Sequence, residues 1–176
     1  MLGADTFIIV FRFLHIVPGV LWVGASFLFV GIIGPSAAKV GSSAGPLMSE
    51  AVKRRKAAKV ITALGGINVV AGWILWFRNA DLAGSLENWV TSGFGLGLTI
   101  GGILATIAAV VGALGVGRGV EHLVDLSDEL AATGAPPTSE QQARLEHLSS
   151  SLERHGKLDL ALVLLATTAM ATARYW

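Results

Sequence analysis

The chain has 176 residues, of which 53% are hydrophobic and only 14% charged, and its mean hydropathy is +0.66. A soluble domain is about a quarter charged, so this composition points to an integral membrane protein, one domain covering residues 1–176. There are no cysteines, which excludes disulfides, thiolate catalysis, iron–sulfur clusters and cysteine metal sites, and a net charge of +1 singles out no class of partner.

The opening run MLGADTFIIV carries an acid, no basic segment and no myristoylation motif, so the first apolar stretch reads as a retained span. Crossing about 30 Å of hydrocarbon takes roughly 20 helical residues. Four segments qualify, at about 6–33, 57–77, 93–116 and 158–174. The first is expected to stop at Gly34-Pro35, and the fourth is short unless its helix begins earlier. Backbone polar groups cannot stay unpaired in lipid, so each span should be helical. The expected fold is all-α, a four-transmembrane-helix bundle.

Helices 3 and 4 are expected to extend into a cytoplasmic helical hairpin, about 118–157. After Arg118, Val120, Leu123, Val124, Leu126 and Leu130 alternate with acids at helical spacing. ATGAPPTSE then reads as a turn, and Thr138 stands three residues before Gln141, a capping-box spacing. Leu145, Leu148 and Leu152 continue the second arm, with the two apolar stripes expected to pack together.

Lysines and arginines divide unevenly between the two sides. Ten lie in the 34–59 loop region and in the hairpin, against Arg12, Arg78 and Arg174 on the other side. The positive-inside rule then puts both termini outside the cytoplasmic membrane. Trp76, Trp89 and Trp176 are expected to form an aromatic belt near the outer interface. KRRK at 53–56 reads as a positive-inside anchor rather than a nucleic-acid site.

FRFLHIVPGVLWVG, residues 11–24, places Arg12, His15 and Pro18 inside an oily run. His15 lies about nine residues below the outer end, roughly 13 Å at about 1.5 Å per residue. Equal depth on the other helices falls at Asn68, at Gly101-Gly102 and at about 165–167. An ionisable residue at that depth is costly unless it faces the bundle interior, which makes it a functional candidate. Neutral histidine is a common axial ligand of haem iron, and the two glycines would leave space for a planar cofactor. The competing expectation is a histidine that hydrogen-bonds a neighbouring helix through Asn68 or Thr167. Arg12, Arg78 and Arg174 share the outer rim and could pair with two propionates, or extend to lipid headgroups. Trp22, two turns from His15 on one face, could wall the pocket, and Pro18 can kink the helix.

The stretch FLHIVPGVLWVG, with its Leu-His pair and later Trp-x-Gly, resembles the opening of copper-resistance-D-like bacterial membrane proteins. It is also similar to the membrane part of cytochrome-fused urate oxidase and to the membrane protoporphyrinogen oxidase. The ending KLDLALVLLATTAMATARYW resembles the terminus of the small uncharacterised four-helix members. The resemblance implies a four-helix bundle in the bacterial cytoplasmic membrane that binds haem b, with His15 at the position of the motif histidine. No cytochrome c attachment is available without cysteine, and three scattered methionines do not make a copper(I) site. Lys59 and Lys157 lie near helix ends, unlike the transmembrane lysine of the porphyrinogen-oxidising members.

The expected function is a haem-b-binding membrane protein with an electron-transfer or redox-support role. His15 would be the metal ligand, and Arg12, Asn68, Trp22, Arg78 and Arg174 would surround the cofactor. The alternative is a cofactor-free structural or assembly subunit of a respiratory or photosynthetic complex, using glycine faces such as GFGLGLTIGG against partner subunits. Copper or small-solute transport ranks behind both, and the residues leave open whether the chain is itself an enzyme. Expected partners are the lipid bilayer, a redox protein or larger membrane complex, and a second copy of the chain; nucleic acid is not among them.

Overall fold

The computed structural model describes residues 2–176, with side chains from Thr6 onward, and among these every regular element is helical. The long helices are α1 (Leu2–Leu28), α4 (Ala57–Leu82), α6 (Gly93–Val111), α7 (Arg118–Thr133) and α8 (Ser139–Thr172). Short pieces α2 (Gly34–Val40) and α3 (Gly45–Ser49) lie between α1 and α4, and α5 (Leu86–Thr91) precedes α6. Among the described residues, four helices are long and apolar enough to cross a membrane.

The helix ends follow local chemistry. Thr138 accepts from the Gln141 backbone N–H while the Gln141 side chain accepts from the Thr138 N–H, the capping box expected from their spacing. Ser92 caps α6 by accepting from the Gly95 N–H. The fourth apolar segment is the second half of the 34-residue α8, so its helix does begin well before Leu158.

Helical backbone does not stop at Gly34-Pro35. A π-helical turn at Phe29–Ile33 leads directly into α2, and Pro35 sits at the start of α2, so the bond its missing N–H forfeits falls in that π turn. The chain turns instead at Gly41, whose φ of 61° and ψ of −134° suit only glycine. Further π turns occupy Glu50–Arg54 and Gly112–Gly117, the latter joining α6 to α7.

α1 packs chiefly on α4 and α6 on α8, with α4–α6 and α1–α8 contacts closing the bundle. Its interior is built from small residues, including Ala71, Ala105, Ala108, Ala166 and Ala169, around Trp22 and Val163. Large side chains such as Ile9, Phe13, Val70, Phe77, Ile103 and Leu165 point outward and are exposed. That pattern, small inside and large apolar outside, is how helices pack when lipid rather than water surrounds them.

α7 packs on α8, but the two expected stripes contribute unequally. Val124, Leu126 and Leu130 are buried, while Leu145, Leu148 and Leu152 are only partly covered. α7 also packs on α3 and on the π turn after it. There Lys53 bridges Asp125 at 2.9 Å and Asp128 at 2.7 Å, and the Ser49 hydroxyl donates to Asp128 at 2.7 Å. The first member of the basic run thus pins the loop to α7.

Candidate functional site

His15 and Asn68 meet at the α1–α4 seam, as the depth count anticipates. The His15 Nδ1 lies 2.9 Å from the Asn68 main-chain carbonyl oxygen, and the Asn68 carboxamide N–H donates to the His15 carbonyl at 2.5 Å. A carbonyl can only accept, so the imidazole proton sits on Nδ1. The approach of Asn68 Nδ2 to Nδ1, at 3.2 Å, is then a contact between two donors and not a bond. Nε2 keeps its lone pair and makes no hydrogen bond among the described residues.

Glycines make this clasp possible. A Cβ on Gly72 would lie 2.8 Å from His15 Cε1 and 2.9 Å from Nδ1, and one on Gly19 would collide with the Asn68 carboxamide. Pro18 is buried, and it withdraws the N–H that would bond the Leu14 carbonyl, loosening the turn where Asn68 reaches α1. One layer deeper, the Trp22 indole rests on Gly65, where a Cβ would come within 2.9 Å of the ring. Trp22 is 4% exposed and belongs to the bundle core.

The other two helices do not open a slot at this level. Gly101 is covered by Met170 and the Ala166 carbonyl of α8, and Gly102 faces the indole of Trp73. The Trp73 N–H donates to Thr106 at 2.9 Å, and Thr167 is exposed, its hydroxyl donating to the Val163 carbonyl. The glycines therefore receive neighbouring side chains and backbone in place of the open space expected from sequence. Gly93, Gly97 and Gly101, at four-residue spacing, are used against α8 and the C-terminus of the same chain. They are not a free face for another subunit. Two open apolar grooves lie beside α4. One, about 300 Å³, is lined by Phe11, Leu14, Gly66, Ile67, Val70 and Ala71; the other, about 390 Å³, lies between α4 and α6.

Arg12 and Arg174 are exposed, and the Arg78 guanidinium stands 5.8 Å from the centre of the Phe7 ring. Trp89 is buried against Trp76 and Phe94, whereas Trp176 is exposed and donates to Thr172. No group of three histidine, aspartate or glutamate side chains assembles into a metal site among the described residues.

A second polar site between helices is not signalled by any motif in the sequence. Asp159 on α8 is 3% exposed, and the hydroxyl of Ser26, itself 6% exposed on α1, lies beside its carboxyl group. Its Oδ1 is without any partner. A Cβ on Gly112 would lie 2.9 Å from that oxygen. Comparisons with models of known families, with curated proteins and with solved structures find no match for the chain.

Proposed function

We propose that the chain is a multi-pass protein of the bacterial cytoplasmic membrane that holds haem b through His15 and serves electron transfer or a partner's redox reaction. The observation that carries this reading is the state of the imidazole. Nδ1–H is committed to the Asn68 carbonyl at 2.9 Å and Nε2 is left as an unbonded donor atom, the arrangement in which histidine ligates a metal. The resemblance of residues 13–24 and 157–176 to the copper-resistance-D-like proteins agrees with it, as does the apolar exterior.

Bound haem b would supply a one-electron centre. Asn68 fixes the orientation of the ligand, Gly72 gives the ring its place on α4, and Trp22 braces the same seam one layer deeper. Arg12, Arg78 and Arg174 are the proposed partners of the propionates, since all three belong to the end of the bundle that carries the termini. The donor atom fits an axial ligand, while the filled layer at Gly101 and Gly102 provides no slot between the helices. Lysine and arginine counts support termini outside and residues 118–157 in the cytoplasm.

The test is the optical spectrum of the detergent-purified protein. A reducible Soret band, lost in His15→Ala with helix content retained, is the expected result. A colourless, folded wild-type preparation sinks the proposal. Purification of that colourless chain in a stable larger complex would then identify a cofactor-free subunit.

A further inference from the structure

We infer that Asp159 is a proton-binding site of the bundle, held at rest as the neutral acid and exchanging its proton at the end where α7 and α8 project, by way of His155. The inference is independent of haem. A carboxylate 3% exposed, with one neutral hydroxyl as its partner, lacks the countercharge and the set of donors that buried anions require. Protonation removes a charge that Oδ1, packed on Gly112 and without a hydrogen-bond donor, has nothing to balance.

Ser26 comes from α1, Val30 of the Phe29–Ile33 turn lies against Gly156, and Gly112 comes from the π turn after α6. None of these is charged. Lys157, two residues away on α8, is turned to Glu153 at 2.6 Å, and no ion pair among the described residues includes Asp159. The titratable neighbour is His155, one helical turn along α8. Its ring lies against Gly115, and its Nδ1–H donates to the Ser151 carbonyl at 2.8 Å, so the acceptor Nε2 is free at an exposed position.

α8 is gripped at Gly156 and Asp159 by two π turns, Phe29–Ile33 through Val30 and Gly112–Gly117 through Gly112. π turns inside helices recur at functional sites. On release, the Oδ1–H bond breaks and the proton passes, directly or through water, to His155 Nε2. The imidazolium then yields it to bulk solvent, while the carboxylate keeps the Ser26 hydrogen bond.

Infrared spectroscopy of the full-length protein in detergent tests this, with ¹³C-aspartate labelling. At neutral pH the wild type should show a carboxylic-acid C=O band that moves with the label, disappears in Asp159→Asn and shifts in Ser26→Ala. His155→Gln should slow the deuterium shift of that band several-fold. Absence of a label-sensitive acid band in the wild type overturns the site, as does a band that survives in Asp159→Asn. An unchanged exchange rate in His155→Gln overturns the route. Should Asp159→Asn fail to fold, the isotope shift together with the Ser26→Ala response decides the matter.

Discussion

The polar meetings at the α1–α4 and α1–α8 seams are built on opposite terms. At the α1–α4 seam, His15 and Asn68 exchange two hydrogen bonds through side chain and main chain, and a single nitrogen is left over. At the α1–α8 seam, Asp159 has one partner, Ser26, and an oxygen with none. A matched pair ties two helices together, because removing either member orphans the other. An unmatched acid contributes little to holding the helices together.

Stability measurements on detergent-solubilised variants can break or sharpen this contrast. Asn68→Leu removes the donor to the His15 carbonyl and crowds Gly19; it should lower stability by about 2–3 kcal/mol, measured by chemical denaturation followed by circular dichroism. Gly72→Ala pushes a methyl group onto the imidazole and should cost about 1–2 kcal/mol, in the lower part of the range for overpacking. Its signature is a displaced His15, visible as a weakened Soret band if haem is bound. Ser26→Ala deprives Asp159 of its one donor and should cost about 1 kcal/mol in the same assay. Asp159→Asn exchanges a neutral acid for a neutral amide of the same shape, so its melting curve should stay within about 0.5 kcal/mol of wild type. A loss comparable to that of Asn68→Leu would erase the contrast between the seams.

The His15 site was legible because a histidine in an oily run is conspicuous, and because alternating helices let depth be counted from their ends. The count found Asn68 correctly. It could not find Gly72 or Gly19, since a glycine's role depends on what the facing helix inserts. It also read Gly101 and Gly102 as space, where Met170 and Trp73 already lie. Asp159 follows Lys157 by two residues and reads along the chain as part of a charged border. Its burial arises from Ser26 and Gly112, both distant in sequence, meeting at one point on α8. The stop expected at Gly34-Pro35 failed for a local reason: the π turn at Phe29–Ile33 runs straight into α2 with Pro35 at its start, and the φ of 61° at Gly41 makes the turn.

The π turn at Gly112–Gly117 also sets an angle. Each residue added to or removed from an α-helix rotates everything beyond it by about 100°. Deleting one residue within 112–117 would therefore swing α7 about its own axis by roughly that amount, with α6 unmoved. Asp125 and Asp128 would leave Lys53, Val124 and Leu126 would turn out of their packing, and the loop pinned to α7 would come loose. In this sense the turn works as a phase coupler, matching the rotational setting of the bundle helix to that of the α7 surface that receives residues 45–54.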